Sequence, residues 1–556
     1  MPPNGTLEAR VDGGSIPSGT IVQRGKIVTF TATPHTNHEV EKWEVNGSVI
    51  TNTTNTYVCT VTNAVYVKVS FGPLPAGYAT YNVEHYQQKA DDTYPAAPAE
   101  IEILNGEVGT IAAYTPKTDG AYENFTYKPA LTQISGTIES DGSTVIKLFY
   151  ERKTCTVTFA VSGTGGTLKA EVDGTEVHSP YQAEKNKTIV FTATPTNEYY
   201  AVEKWTDGGT DIAGETATVY THTVTADATI AVHFKTAPVD VYVTGTSGGK
   251  AYVWKNNTPT ELRSHETGSG VTLCPYAVRS QGNDVYIAGV ENVSGVTRPI
   301  VWKKDGSLHW IGTNSYTYAY DIAFYNGKTF VAGSTIDNAS ITDISDTANP
   351  EVTSLYTNVY PITLSNAKAL CAESSKLYAA GFKRSGNTTV FLWTKPDSGS
   401  ISETELGLQG NTAYTDSMPY GLCTAGNAVY VAAGNVWKVE GGAVTPIPVA
   451  DAYALYALCV CEGTVYAAGW TNTYKAAVWK IEGSSASLYK ELGDVNSGVF
   501  ALCAAGGDLF AAGYYTDTDN KHKPVWWRFA ADLTLTEHKL GTAKGEAFGI
   551  CVTPQE

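Results

Sequence analysis

The sequence predicts an all-β, multidomain protein whose C-terminal part is a seven-bladed β-propeller, and three observations support this fold class. The first is a repeat: between residues 239 and 556, an aromatic-centred segment ending in Ala-Gly or a close variant occurs seven times. The copies lie 36 to 52 residues apart, close to the period of a propeller blade. Their aromatic residues are Tyr242, Tyr286, Phe330, Tyr378, Tyr430, Tyr466 and Phe510.

The second observation is the strand pattern inside each repeat. Around Tyr466, four segments rich in Val, Tyr and Trp are separated by Gly, Asn, Glu or Ser, which predicts four strands joined by hairpins. The third strand carries a tryptophan in six copies, which we expect to pack blade against blade. The copy near Phe330 lacks it, so we expect that blade to be distorted or to carry an insertion. The six residues are Trp254, Trp302, Trp393, Trp437, Trp479 and Trp526.

The third observation concerns closure of the ring. The first copy begins at its second strand, and the last copy is followed by an unassigned inner strand, AFGICVTP, at 547–554. That segment matches the inner strands YGLCTA, YALCVC and FALCAA of other copies. We therefore expect it to complete the first blade, which removes an exposed sheet edge.

Before the propeller lie three smaller units, two of which are copies of each other. GTLEARVDG (5–13) matches GTLKAEVDG (166–174), and the segments VTFTATP and VEKW both recur with small changes. These residues resemble the divergent internalin-type B-repeat of bacterial surface proteins, a small β-grasp-like module. The predicted domains are 1–74 and 154–236 for these copies, 75–153 for the unit between them, and 237–556 for the propeller.

The middle unit has a different pattern. It opens with YNVEHYQQ, contains NGEVGTIAAYTP and closes with GSTVIKLFYERK. This resembles the mucin-binding-protein repeat of bacterial adhesins, also a β-grasp-type module. The resemblance implies extracellular display and does not by itself imply mucin binding.

The second B-repeat copy is preceded by a strand, CTVTFAVSGTG (155–165), which has no counterpart before Gly5. We infer that Met1 is an artificial start and that a signal and an anchor lie upstream, unless the first module is incomplete in nature. Net charge is −17 and no stretch clusters Lys and Arg with aromatic residues, which makes nucleic acid an unexpected partner. No apolar run is long enough for membrane insertion.

Nine cysteines in an extracellular protein raise the question of disulfides. Five of them occupy one equivalent position on inner strands, so they lie a blade apart, too far for a disulfide. We expect small buried thiols instead. These five are Cys371, Cys423, Cys459, Cys503 and Cys551.

Catalytic signatures are missing from the sequence: the ten histidines are scattered, and HExxH, GxSxG and Walker motifs do not occur. We therefore expect no enzymatic activity and no cofactor. Asp517 and Asp519, in a loop with Asn520, form a weak calcium candidate that lacks the Gly and distal Glu of an EF-hand. The alternative is a solvated hairpin tip.

Aromatic residues gather where the chain enters the inner strands and in the loops after the second strands. Both loop sets emerge on one face of a propeller, around the mouth of its channel. Tyr and Trp rings offer apolar faces with a polar handle, which suits sugar rings or a protein surface. Tyr320, Tyr420 and Tyr456 recur at one strand position and are expected to pack. The ligand-binding candidates are Tyr316, Tyr318, Trp470, Tyr474, Tyr514 and Tyr515.

Three functions remain open. The leading hypothesis is a non-enzymatic, extracellular protein of the bacterial cell surface, in which a stalk of β modules presents a propeller that binds a host or environmental glycan or a surface protein. The second is a structural surface-layer or envelope component. The third is a secreted polysaccharide-active enzyme, which requires a convergent carboxylate pair or a His-Tyr-Arg cluster.

Overall fold

A computed structural model describes residues 4–52, 54–89, 91–134, 136–268, 270–312, 318–335, 338–356, 364–385, 387–408, 421–530 and 534–555. Strands dominate, and the helices in these ranges are two short 3₁₀ turns, Gly120–Tyr122 and Pro129–Leu131. Within the described part of the chain, no helix has the length and apolarity to cross a membrane. The chain divides into two compact units, Met1–Thr194 with Val202–His233, and Pro195–Ala201 with Phe234–Glu556.

The first module of the first unit has two small sheets, ordered β2-β1-β3-β6 and β5-β4-β7. Trp43 is fully buried in its core, and the Trp43 indole N–H donates to the Thr54 carbonyl oxygen over 2.9 Å. Its strands are β1 Gly5–Val11, β2 Gly14–Ile16, β3 Ile27–Pro34, β4 His38–Val45, β5 Ser48–Ile50, β6 Thr56–Thr60 and β7 Val67–Pro73.

The middle module is one five-stranded sheet in which β12 pairs parallel with β8. Its core packs beneath one face of this sheet and includes the fully buried residues Ile146, Leu148 and Tyr150. Its strands are β8 Tyr78–Gln87, β9 Glu100–Glu107, β10 Phe125–Tyr127, β11 Gln133–Ile134 and β12 Val145–Arg152.

The third module repeats the first and adds two strands. Its sheets are β15-β14-β17-β20 and β16-β13-β21-β18-β19, and β13 and β16 have no counterpart among the described strands of the first module. Trp205 takes the place of Trp43, and its indole N–H donates to the Ala217 carbonyl oxygen over 2.9 Å. The strands are β13 Thr154–Ser162, β14 Gly166–Val172, β15 Thr175–Val177, β16 Tyr181–Glu184, β17 Thr188–Pro195, β18 Tyr200–Asp207, β19 Thr210–Asp211, β20 Val219–Thr223 and β21 Ala228–Thr236.

The described residues of the second unit form seven four-stranded antiparallel sheets, which confirms the predicted seven-bladed propeller. Blade 1 contains β22 Val239–Ser247, β23 Lys250–Lys255 and β24 Thr258–Glu261, and blade 2 contains β25 Val271–Gln281, β26 Asp284–Val293, β27 Val296–Lys303 and β28 Leu308–Ile311. Blade 3 contains β29 Tyr318–Tyr325, β30 Lys328–Thr335, β31 Asn338–Asp343 and β32 Glu351–Ser354. Blade 4 contains β33 Leu364–Glu373, β34 Lys376–Ser385, β35 Asn387–Pro396 and β36 Ser402–Leu408.

Blades 5 to 7 follow the same order from the inner to the outer strand. Blade 5 contains β37 Gly421–Ala425, β38 Ala428–Ala433, β39 Asn435–Glu440 and β40 Ala443–Ile447. Blade 6 contains β41 Ala452–Cys461, β42 Thr464–Thr471, β43 Lys475–Glu482 and β44 Ser485–Val495. Blade 7 contains β45 Gly498–Ala505, β46 Asp508–Thr516, β47 His522–Phe529 and β48 Leu535–Lys539. The last strand, β49 Ala547–Pro554, pairs antiparallel with β22 and completes blade 1. Inner strands of successive blades adjoin around the whole ring, and β49 contacts both β45 and β25.

The tryptophans of the third strands lie between blades, as predicted, with one correction of register. In blades 1 and 6, Trp254 and Trp479 pair with the residue after the repeat aromatic. In blade 7 the residue after the repeat aromatic is Ala511, and it pairs with Trp527 and not with Trp526. Blade 3 has Thr342 at this position, which agrees with the missing tryptophan in its sequence, yet it still forms four strands.

Candidate functional site

A β-bulge interrupts the inner strand of each blade for which the structure describes this position. At each bulge one inner-strand residue has no partner on the second strand, so its side chain is directed toward the ring axis. Five of these residues are aromatic and one is a lysine. They are Tyr276, Tyr320, Lys368, Tyr456, Phe500 and Phe548.

The bulge explains the glycine that ends the repeat motif. In blade 6, Gly469 pairs with Leu455 beside the bulge, and a Cβ on Gly469 would overlap the carbonyl oxygen of Ala454. The corresponding glycines of blades 3 and 7, Gly333 and Gly513, face the same obstruction. The Ala-Gly signature is therefore the sequence mark of a bulge that turns a side chain into the channel.

The bulge residues line a cavity of about 40 Å³ on the ring axis. A buried water needs about 10–15 Å³, so this cavity holds only a few waters and excludes a sugar ring. Arg279 and Asp321 also line it. The channel is therefore nearly filled at this level, and a larger ligand has access to its mouth only.

Arg279 and Asp321 form an ion pair across neighbouring blades. The Arg279 Nη2 lies 2.9 Å from Asp321 Oδ1 and 3.1 Å from Oδ2. Asp321 is buried, and it also accepts the backbone N–H groups of Ile322 over 2.9 Å and Leu370 over 3.0 Å. Burial disfavours charge on Arg279 and the nearby Asp321 carboxylate favours it, and the net effect of the surroundings is a pKa of Arg279 raised above its ordinary value. The guanidinium therefore stays charged inside the ring.

Lys368 takes the place of an aromatic residue in blade 4. Its side chain is fully buried, and Nζ lies 3.5 Å from the centroid of the Tyr320 ring. This is a short cation–π contact in a desolvated site. The Lys368 ammonium thus stabilises the Tyr320 ring, its neighbour on blade 3 in the lining of the channel.

All nine cysteines are unpaired. Register confirms that five share one position, because each pairs with the aromatic residue of its own repeat: Cys371 with Tyr378, Cys423 with Tyr430, Cys459 with Tyr466, Cys503 with Phe510, and Cys551 with Tyr242. In blade 2 this position is Arg279. Burial raises the pKa of Cys551 to about 12, so the thiol stays protonated and unreactive near neutral pH.

We expect the stability of the propeller to fall as pH rises from 9 to 10. A thiol whose pKa is raised on folding favours the folded state below its unfolded pKa of about 8.5, and this contribution is lost as pH rises toward the folded value. Replacing Cys551 with alanine should make the pH dependence shallower by about 1 kcal/mol per pH unit in this range. Calorimetry at several pH values measures the two slopes, and parallel slopes would contradict a protonated buried thiol.

A continuous aromatic cluster joins the channel to the mouth across blades 6, 7 and 1. The Tyr456 and Trp470 rings lie 5.1 Å apart, the Phe500 ring is 5.9 Å from Trp470, and the Phe548 ring is 5.6 Å from Phe500. At the other end, the Tyr453 and Tyr474 rings lie 5.2 Å apart. We call this set, with Tyr514, the mouth cluster; its members are Tyr453, Tyr456, Trp470, Tyr474, Phe500, Tyr514 and Phe548.

The structure corrects the placement of several predicted binding residues. Trp470, Tyr514 and Tyr515 belong to strands and not to loops. Trp470 is only 2% exposed and Tyr514 is also buried, because both rings pack inside the mouth cluster. Neither ring therefore offers an accessible face to a ligand.

The other predicted aromatic residues differ in exposure. Tyr474 is 48% exposed at the edge of the mouth cluster. Tyr515 is partly buried, with the Lys539 ammonium 4.4 Å from its ring centroid. Tyr318 is partly buried and stacks on Tyr320 at 5.1 Å. Tyr316 and Tyr420 lie outside the described residues, whereas Tyr320 and Tyr456 are buried, as their recurrence predicts.

The acidic loop of blade 7 has the arrangement of a polar hairpin tip. Asp519 Oδ2 pairs with Lys523 Nζ at 2.9 Å, and Asp519 Oδ1 accepts the backbone N–H of Lys521 over 3.1 Å. Asp517 Oδ1 accepts the backbone N–H of Thr518 over 2.7 Å. Because Lys523 already neutralises one carboxylate, the pair is poorly suited to calcium. Among the described residues, no three His, Cys, Asp or Glu side chains are grouped to hold a metal ion.

Sequence reasoning missed the polar residues of the channel. Arg279, Asp321 and Lys368 look unremarkable alone, but each departs from the pattern once the inner strands are aligned on their bulges. Arg279 replaces a cysteine, and Lys368 replaces an aromatic residue. An alignment of the seven inner strands on the Ala-Gly motif would have shown the departures at Arg279 and Lys368.

Comparison with known proteins adds a family for one module. Residues 6–74 match the family model described as the divergent InlB B-repeat domain. Among curated proteins, none matches the chain.

Solved structures with a similar chain fold are propeller proteins whose sequence identity to this chain is low. A quinonprotein alcohol dehydrogenase-like protein from Bacteroides thetaiotaomicron is 10% identical, with 71% of this chain and 95% of that chain covered and a TM-score of 0.37. BamB from Moraxella catarrhalis is 14% identical, with 53% and 78% covered and a TM-score of 0.32. The β-propeller domain of the trilobed protease from Pyrococcus furiosus is 11% identical, with 49% and 98% covered and a TM-score of 0.29. Such scores carry no functional conclusion.

Proposed function

We propose that this protein acts at the bacterial cell surface as a non-enzymatic binding protein, whose propeller binds a glycan or a surface protein at the mouth of its channel. The divergent InlB B-repeat at residues 6–74 supports the surface location, because this module occurs in bacterial surface proteins. We include in this proposal the resemblance of the middle module to mucin-binding repeats, which implies extracellular display. The propeller supplies the binding site.

The observation that carries this proposal is the mouth cluster. Its inner members line a cavity too small for a ligand, while its edge places the exposed Tyr474 ring against Tyr453. A rigid aromatic platform with one exposed ring suits stacking against a sugar or an apolar protein side chain. The Tyr453 ring that contacts Tyr474 is itself partly buried against the cluster, and such support lowers the entropic cost of binding at the exposed ring.

Replacing Tyr474 with asparagine should abolish or weaken binding at least about tenfold, because the exposed ring is lost. Asparagine is chosen because Tyr474 has φ 62, a left-handed conformation that asparagine tolerates. A glycan array and a panel of surface-protein extracts, screened with the full chain, provide the measurement. We expect the melting temperature to stay nearly unchanged, since Tyr474 is exposed.

The matched control is Tyr78→Ala, which removes a tyrosine of similar exposure, 46%, from the first unit. Binding that survives Tyr474→Asn but is lost in Tyr78→Ala would move the site away from the propeller. A blank result in both screens would contradict the proposal and favour a structural role in the envelope. Trp470→Ala is a poor probe here, because removing a buried ring also disturbs the fold.

A further inference from the structure

A histidine–glutamate pair lies at one end of the mouth cluster. The His522 ring stacks on Tyr514 with the ring centroids 3.8 Å apart, and His522 Nδ1 lies 2.5 Å from Glu546 Oε1. Because an ionised carboxylate only accepts hydrogen bonds, Nδ1 is the donor, and Nε2 of the neutral ring is left as an acceptor. Tyr514 belongs to the mouth cluster, so the pair extends this cluster with polar groups. We call His522 and Glu546 the mouth dyad.

Backbone hydrogen bonds fix both members of the mouth dyad. His522 is the first residue of β47, and its carbonyl oxygen accepts the backbone N–H of Gly545 over 2.9 Å. Glu546 directly precedes β49, and its carbonyl oxygen accepts the backbone N–H of Thr246 over 2.8 Å. Phe548, two residues further along, lines the channel. The dyad therefore has a defined position at the entrance to the channel, which lowers the entropic cost of binding there.

The mouth dyad presents two polar atoms to a ligand. The His522 and Glu546 side chains are 34% and 24% exposed. Within the described part of the chain, neither His522 Nε2 nor Glu546 Oε2 has a hydrogen-bond partner. Two neighbouring acceptors of this kind suit two neighbouring hydroxyl groups, since each hydroxyl group can donate one hydrogen bond. The Glu546 carboxylate also repels an anionic ligand.

The repeat pattern of the blades does not account for the mouth dyad. Glu546 lies two residues before the bulge residue of blade 1, and the other described bulges have no charged residue at that distance. The corresponding residues are Cys274, Tyr318, Asn366, Ala454 and Gly498. Blade packing therefore does not require a carboxylate at this place.

We propose that the mouth of the propeller binds a neutral saccharide, with two neighbouring hydroxyl groups of one sugar hydrogen-bonded to His522 Nε2 and Glu546 Oε2. Sugars carry hydroxyl groups on adjacent carbon atoms, whereas no protein side chain does, so the dyad favours a sugar over a protein surface. The aromatic edge of the mouth cluster contacts the apolar faces of the saccharide. This inference rests on the proposed function and specifies the class of its ligand.

The test is a glycan array that holds neutral oligosaccharides beside their sialylated and uronic acid counterparts, screened with the full chain. We expect saturable binding to a neutral oligosaccharide and none to the acidic ones. His522→Phe keeps a ring on Tyr514 but removes both nitrogens, so it should weaken this binding at least about tenfold. Glu546→Gln should also weaken it, because the amide holds the imidazole less strongly than the carboxylate does.

The matched control is His538→Phe. His538 also stacks on an aromatic residue of blade 7, Trp526, with the ring centroids 3.9 Å apart, but it lies on the outer strand β48. This variant should bind the oligosaccharide as tightly as the original chain. Deoxy analogues of the oligosaccharide supply a second readout, which a merely structural role of His522 would not change. Removing the hydroxyl group that His522 binds should weaken binding to the original chain about tenfold and leave binding to His522→Phe nearly unchanged.

The outcomes separate this inference from the proposed function. Saccharide binding that is lost in Tyr474→Asn but retained in His522→Phe would overturn the role of the dyad and leave the proposed function standing. Binding to acidic oligosaccharides alone, or to a surface protein with a blank glycan array, would overturn the neutral saccharide in the same way. An absence of both saccharide and protein binding would overturn the inference together with the proposed function.

Discussion

Replacing Gly469 with alanine is expected to lower the free energy of unfolding of the propeller by about 3 kcal/mol. The added Cβ would overlap the carbonyl oxygen of Ala454, which the bulge at Tyr456 brings close to the second strand. Relief requires a backbone shift in a blade whose neighbours are fully packed, so the clash cannot be absorbed by side-chain motion. Calorimetry of the full chain, following the transition of the propeller, measures the loss.

The control is Gly72→Ala in β7, where a Cβ would meet only ordinary contacts, the nearest being Glu41 Cβ at 3.6 Å. We expect that change to alter stability by less than about 1 kcal/mol. Blade 5 is a natural comparison, because it has Ala433 at the position of Gly469. A Gly469→Ala protein as stable as Gly72→Ala would show that the bulge does not require glycine.

Asp321→Ala is expected to destabilise the propeller by about 3 kcal/mol. The change leaves the Arg279 guanidinium without its carboxylate and removes the acceptor of the Ile322 and Leu370 N–H groups. We place the loss at the lower end of the range for buried pairs, since 40% of the Arg279 side chain remains exposed. Chemical denaturation of the full chain gives the value.

A double-mutant cycle identifies the cause of that loss. Arg279→Met combined with Asp321→Ala should cost less than the sum of the single changes, because no isolated charge is then left in the ring. Additive losses would mean that Asp321 acts through its two backbone contacts alone. Asp321→Asn, which keeps one acceptor oxygen, should lie between the wild type and Asp321→Ala.

The architecture could be predicted from the sequence because each blade repeats the same pattern of packing residues. The aromatic residue, the tryptophan and the terminal glycine recur at fixed strand positions, and β49 matches the inner strands that it joins. The assignment of Trp526 was wrong because two tryptophans are adjacent in β47, and only the pairing of Ala511 with Trp527 settles which is equivalent. Periodicity alone does not fix register to one residue.

The site was less predictable, for a different reason. Trp470 and Tyr514 follow the repeat motif and have no equivalents in most blades, which made them look like loop residues. The structure continues the strands through them and buries both rings. Exposure depends on the neighbouring blades, and those contacts are not encoded within one repeat. Arg279 and Asp321 were missed because their pairing joins two blades whose sequences are 42 residues apart.

The position of β49 delays completion of the propeller until the end of protein synthesis. Val239, in β22, and Ala547, in β49, are 308 residues apart in the chain, although their strands are neighbours in blade 1. At about 5–20 residues per second, a ribosome makes the intervening segment in roughly 15–60 s. During that time β22 keeps a bare inner edge, which is an opportunity for pairing with the wrong chain. The propeller therefore matures only when its last strand has been made, and a nascent chain benefits from protection of that edge until then.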